Sequence, residues 1–310
     1  MRKAKLFEKL PGKEVRCTAC QRYCLIKVGK VGFCLTRKNI NGQLYSLNYG
    51  LASAIQIDPI EKKPLYHFHP GTEILSIGSF GCNFRCKQCQ NSQCSWGRQA
   101  TEKLTNLSNL DKVNNSYISP KDLVNLAIEK NSPGIAFTYN EPVIWPEYVH
   151  DAAKLAKEKG LYTVFVSNGS WTKEALNYYG QFISAANIDF KGWGEKVYAS
   201  QGAFWGKIRE NLILASKKGI HLELTTLIIP GINDNPKDLQ AIAFWIVKNL
   251  GKKTPWHLSR FNPDLAPDKE FAKIPPTPAD TLEKAYKIGR KAGLAYVYIW
   301  PPQKLDLKKK

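Results

Sequence analysis

Six short runs rich in β-branched and aromatic residues, each followed by an amphipathic helical stretch, constrain this chain more than any other feature. EILSIGSF (73–80), GIAFTY (134–139), LYTVFVS (161–167), AANIDF (185–190), HLELTTLII (221–229) and WHLSRF (256–261) read as strands, with AYVYIW (295–300) as a candidate seventh. Helices are expected over 120–131, opened by a Ser119 cap and Pro120, and over 146–159, 172–183, 205–218, 236–250 and 278–292. Strands alternating with helices predict a parallel sheet with crossover connections, an α/β partial (β/α)6-type barrel over 71–310. Residues 1–70 form a separate cysteine-rich lead-in, and 96–117, rich in Asn, Ser, Thr and Lys, reads as an extended surface loop.

In parallel α/β folds, ligands gather where the strands end, because the loops converge there and helix N-termini point inward. The six strands run into GCNFRCKQCQN, TYNEP, SNG, DFKG, PGIND and NPD. The first of these loops is the most specific. Its Cys82-x3-Cys86-x2-Cys89 spacing supplies three thiolates in one turn, whereas a closed structural zinc site takes four ligands. An iron–sulfur cluster held by three cysteines keeps one iron open to a substrate.

The eight cysteines are bunched at 17–34 and 82–94, which favours metal ligation over disulfides in a chain whose first residues are charged where a secretory signal would be apolar. No run approaches the roughly 18 apolar residues of a membrane span, so a cytoplasmic protein is expected. Cys17-x2-Cys20-x3-Cys24-x9-Cys34 makes a second, four-thiolate set that fits either zinc or another iron–sulfur cluster. Gly29 and Gly32 permit the turns that return Cys34 to the other three. Cys94 reads as a small buried hydrophobe, His67 and His69 as hydrogen-bonded structural residues, and the terminal KLDLKKK as a solvated tail. The formal charge of +19 suits an acidic electron carrier, a nucleic acid or an acidic membrane surface, and charge alone does not choose among them.

The cysteine spacing in the loop after the first barrel strand resembles the radical S-adenosylmethionine (SAM) superfamily. DPIEKKPLYHFHPG (58–71), GCNFRCKQCQN (81–91), AFTYNEP (136–142), NIDFKG (187–192), TTLIIPGINDN (225–235) and PWHLSRFNPD (255–264) resemble its AmmeMemoRadiSam branch. That branch is similar to the activating enzymes of pyruvate formate-lyase and other glycyl radical enzymes. The resemblance implies that Cys82, Cys86 and Cys89 ligate a 4Fe-4S cluster whose fourth iron is chelated by SAM. One electron then cleaves SAM to methionine and a 5'-deoxyadenosyl radical that abstracts hydrogen from a protein or other substrate, with reduced flavodoxin or ferredoxin as donor. No catalytic triad is visible beyond the cluster.

The resemblance also gives SAM contacts to Asn140 and Glu141 of TYNEP, to Ser167 and Asn168 at the third strand end, and to Asp189 and Lys191 at the fourth. An ordinary turn and a surface salt bridge are the competing readings of TYNEP and of the Asp189–Lys191 pair. Departures from the activating enzymes are Val166 in place of an aspartate, Gln88 where an aromatic residue often faces adenine, and Thr225 and Asn262 in place of Arg and His. Two alternatives remain open: a radical SAM enzyme that modifies nucleic acid, and a non-catalytic zinc-stabilised nucleic-acid-binding protein.

Overall fold

The computed structural model describes residues 1–105 and 117–301. Its centre is an eight-stranded sheet whose strands lie side by side in chain order. The antiparallel edge strand β7 (Ala54–Pro59) precedes seven parallel strands: β8 (Glu73–Gly78), β9 (Gly134–Phe137), β10 (Tyr162–Ser167), β11 (Ala185–Asp189), β12 (His221–Ile228), β13 (Trp256–Arg260) and β14 (Val297–Trp300). All seven runs read from the sequence are therefore strands of one sheet. β7 joins that sheet from before residue 71, paired with β8 from Ala54↔Gly78 to Pro59↔Glu73.

The parallel strands read as near-continuous apolar runs because both faces are covered: every residue of β9 is buried, as are five of the six in β8. Helices are set by local chemistry. Ser119 accepts from the Asp122 amide at 3.1 Å and Pro120 starts the helix Pro120–Glu129. Asn235 caps Pro236–Asn249 in the same way, and Thr172 caps Lys173–Tyr179, beyond which the chain tightens into a 3-10 turn at Gly180–Phe182. The helix expected from residue 205 begins at Ile208. Part of the expected surface loop is a helix, Arg98–Thr105, because Ala100 and Leu104, four residues apart, reach a small apolar cluster with Leu47, Leu51 and Phe80. The rest of that loop, 106–116, and the basic tail lie outside the described residues.

The lead-in folds as two three-stranded antiparallel sheets, β1 (Arg2–Lys3), β6 (Gln43–Ser46) and β5 (Arg37–Ile40), and β2 (Phe7–Lys9), β3 (Val15–Cys17) and β4 (Leu25–Ile26). A buried ion pair fastens it to the barrel: Arg37 Nη2 donates to Glu147 Oε1 at 2.9 Å, and Nη1 to Oε2, on helix Pro146–Glu158. At the other end of the barrel, the backbone amides of Tyr66 and His67 donate to Glu223 at 3.0 and 2.7 Å, near the N-terminal end of β12. His67 Nε2 meets the Tyr298 hydroxyl at 2.7 Å, and His69 stacks on Tyr162. Both histidines hold structure, as their sequence context predicted. Among the described residues no helix is long and apolar enough to cross a membrane.

Candidate active site

The chain leaves β8 at Gly78 and enters the cysteine loop under restraint from both sides. Asn140 accepts from the Ser79 amide through Oδ1 and donates to the Gly81 carbonyl through Nδ2, both at 2.9 Å. A Cβ on Gly78 would lie 2.8 Å from that of Tyr139, so only glycine lets the TYNEP turn approach this closely. Tyr139 itself is held at φ 70°, left-handed for a non-glycine residue, a strain that concentrates at functional turns. On the far side, the Arg85 and Lys87 amides donate to the Gly202 and Gln201 carbonyls at 3.0 Å, and buried Phe84 packs on Phe204.

Cys82, Cys86 and Cys89 face a cavity of ≈ 500 Å³. Asn140, Glu141, Ser167, Asn168, Asp189 and Lys191 line the same cavity, so the structure brings together every residue of the main site read from the sequence. Burial raises all three thiols above their ordinary range, Cys89 to about 12; Glu141 adds to the effect at Cys82, the Cys86 thiolate adds to it at Cys89, and the Lys191 ammonium opposes it at Cys86. A cationic cluster favours the deprotonated ligand and reverses that preference.

Glu141 is the hub of the polar wall. Ser167 Oγ donates to its Oε1 at 2.7 Å, the Asn168 amide to Oε2 at 2.8 Å, and the Val143 amide to Oε1 at 3.0 Å. Burial nevertheless lifts this carboxyl to about 7. Asn168 Nδ2 donates to Asn83 Oδ1 at 2.8 Å, and its own Oδ1 accepts from the Ser170 hydroxyl at 2.6 Å. TYNEP and SNG thus form one network ending on Asn83, inside the cysteine loop.

Lys191 Nζ lies 2.8 Å from Asp189 Oδ2, with its side chain 13% exposed against 44% for the carboxylate. Burial alone would lower the ammonium; Asp189, then Cys86, offset it and hold Lys191 above its usual range. The pair is a cavity-wall feature rather than a surface bridge.

The four residues that depart from the activating enzymes, Gln88, Val166, Thr225 and Asn262, also line the cavity. Gln88 donates to Gln201 Oε1 at 2.7 Å, while its own buried Oε1 has no hydrogen-bond partner among the described residues. A buried unsatisfied acceptor calls for a donor, and an adenine amino group is one. Sequence reasoning missed Lys62 and Lys63, which also line the cavity; Lys63 Nζ reaches Asp58 Oδ2 at 2.8 Å, and the Tyr139 hydroxyl donates to the same oxygen at 3.1 Å. Thr225 and Asn262 line the cavity too, but Thr225 donates to Asn187 and Asn262 caps a 3-10 turn, Pro263–Leu265. Cys94 sits at the edge of the Leu47–Leu104 cluster, as a small hydrophobe would.

Three thiols on one loop, a polar wall from three further strand ends, and an unpaired acceptor fit a three-cysteine cluster with a polar ligand on its open iron. Comparison with known proteins decides the family: the family model described as "Radical SAM superfamily" matches residues 76–246. The chain belongs to the radical SAM superfamily. The superfamily implies a 4Fe-4S cluster and SAM. An uncharacterized protein of Methanocaldococcus jannaschii is 41% identical over 96% of this chain and 85% of its own length. A second protein of that organism, named as a candidate glycyl-radical enzyme activating enzyme, is 23% identical over 72% of this chain and 87% of its own. Among solved structures, Streptococcus suis SuiB bound to its precursor peptide SuiA covers 77% of this radical SAM chain and 51% of its own, at 12% identity and a TM-score of 0.52, a likeness of fold.

Proposed function

We propose that this radical SAM protein is an oxidoreductase of the AmmeMemoRadiSam type, resembling glycyl-radical activating enzymes, with Cys82, Cys86 and Cys89 as ligands of its 4Fe-4S cluster. When bound, the cluster and SAM supply the chemistry: one-electron reductive cleavage to methionine and a 5'-deoxyadenosyl radical that takes hydrogen from a protein or other substrate. The observation that carries this reading is the shared cavity, in which three thiols and the polar ends of β9, β10 and β11 meet.

The chain's own residues orient and enclose. Asn140 fixes the entry to the cysteine loop, so its role is to position the thiolates. Glu141 ties Ser167 and Asn168 into one wall and, with Asp189, offers carboxylate oxygens to the SAM amino or ribose groups. Lys191 offers its ammonium to the SAM carboxylate, and Gln88 its free acceptor to adenine. The +19 charge supports docking of an acidic flavodoxin or ferredoxin as electron donor. Residues 1–70, which supply the edge strand β7 as well as the two small sheets, are proposed as a cysteine-rich module serving the barrel.

Lys191→Met tests the assignment. SAM should weaken at least 10-fold in equilibrium binding to the reconstituted protein while the iron content stays at the wild-type level, since a buried charged hydrogen bond is worth about 1.5–3 kcal/mol. Unchanged SAM affinity would remove Lys191 from the site.

A further inference from the structure

The four cysteines of the lead-in, absorbed by nothing above, line one hollow. Cys17 ends β3, and its amide donates to the Cys24 carbonyl at 3.0 Å across the β3–β4 hairpin. Cys20 and Cys34 line the same hollow, all four are free thiols, and three of them are buried. Their wall is shared with the candidate active site: Asn83, which follows Cys82, borders the hollow and holds Asn168 in the cavity network.

The size of the hollow discriminates between metals. It admits a sphere as large as a water molecule, whose centre has ≈ 10 Å³ in which to move. A zinc ion sits about 2.3 Å from each sulfur, and a sphere of about 1.4 Å radius cannot stand that close to four sulfur atoms. One ion drawn to all four thiols would leave no room of that size between them. In agreement, no three His, Cys, Asp or Glu side chains among the described residues are gathered as a single ion requires. The same holds for Cys82, Cys86 and Cys89, the trio that the superfamily reading gives to a four-iron cluster. A cube of four irons and four sulfides places its thiolates farther apart than one ion does, and suits such a hollow.

The surroundings suit the net negative charge that four thiolates give to a cationic iron–sulfide core. Arg22 and Arg37 border the hollow, and Cys34 Sγ lies 3.2 Å from the Thr36 hydroxyl; cations and hydrogen bonds near the sulfurs are what tune such centres. Arg22 and Arg85 both lie over the Phe33 ring, at 3.5 and 4.1 Å from its centroid, while Arg22 donates to the Asn83 carbonyl and Arg85 to that of Cys82. A Cβ on Gly81 would come within 2.6 Å of the Cys34 carbonyl oxygen. The two cysteine loops are thus packed directly on one another.

We propose that Cys17, Cys20, Cys24 and Cys34 hold a second iron–sulfur cluster, of the four-iron class, with all four irons closed by thiolates. With no iron left open, this centre does not bind SAM. It is independent of the role given to Cys82, Cys86 and Cys89.

The test removes the other site and leaves this one untouched. The triple variant Cys82→Ala, Cys86→Ala, Cys89→Ala is purified and reconstituted anaerobically with iron and sulfide, and iron, sulfide and zinc are counted beside the wild type. About four irons and four sulfides per chain in the triple variant, against about eight of each in the wild type, is the expected result, with a reduced-cluster EPR signal that SAM does not alter. About one zinc in place of iron, or no metal, would overturn the proposal. Should the triple variant not fold, the wild-type count decides: about eight irons support the proposal and about four with a zinc refute it. If wild type and triple variant both hold about four irons, this proposal stands and the active-site reading falls.

Discussion

Replacing Arg37 by methionine should be the most damaging single change outside the cysteines. The guanidinium and the Glu147 carboxylate are 1% and 3% exposed, so the substitution leaves a buried carboxylate with the Lys5 amide at 2.8 Å as its remaining cross-contact to the lead-in. Breaking a buried pair in this way costs about 3–5 kcal/mol. With a urea dependence of roughly 3 kcal/mol per molar, the unfolding midpoint, read by fluorescence of the eight tryptophans, falls by about 1–1.7 M. Adding Glu147→Leu should recover most of the loss, because the stranded charge is what costs. The pH dependence follows. Burial opposes ionisation of Glu147, but Arg37 outweighs it and holds the carboxyl below its usual 4.5. The pair's contribution is therefore present above pH 4.5 and lost as pH falls through the depressed folded value. A single variant that loses under about 1 kcal/mol, or a double variant no better than the single, would refute this reasoning.

Glu141 behaves oppositely. Its folded carboxyl, lifted from 4.5 to about 7, contributes stability that is fully present below pH 4.5 and lost as pH rises through about 7. The loss is about 3 kcal/mol over that window, and Glu141→Gln should flatten that part of the stability profile measured by urea unfolding. Ser119→Ala removes the cap on Pro120–Glu129 and should cost about 1 kcal/mol, Ser119→Gly only a few tenths, in the same assay.

What the sequence could show depended on how local the signal was. The seven parallel strands were legible because both faces are covered and their apolar runs are continuous, as in Gly134–Phe137. β7 was not: none of its six residues is fully buried, so AIQIDP carries little pattern, and its place is set by pairing with β8. The helix Arg98–Thr105 hid in a polar stretch because, among its described side chains, Ala100 and Leu104 are the buried ones. In the site, the cysteines and the strand-end polar residues were legible because each sits in a short motif after a strand. Asn83, Gln201, Lys63 and Asp58 were not, since their partners lie from 5 to 113 residues away in the chain and their surroundings exist only in the fold. The spacing of Cys17, Cys20, Cys24 and Cys34 admitted zinc or an iron–sulfur cluster, because spacing along the chain carries no information on the room between the thiols, which exists only in the fold.

The central claim is that the Cys82, Cys86 and Cys89 loop supports reductive cleavage of SAM. Protein reconstituted anaerobically with iron and sulfide, given SAM and dithionite, should release 5'-deoxyadenosine and methionine in equal amounts, and Cys86→Ala should release neither while keeping the iron of the lead-in cysteines. Wild-type protein carrying its full iron that forms no 5'-deoxyadenosine, or a Cys86→Ala variant that forms it at the wild-type rate, would contradict the account.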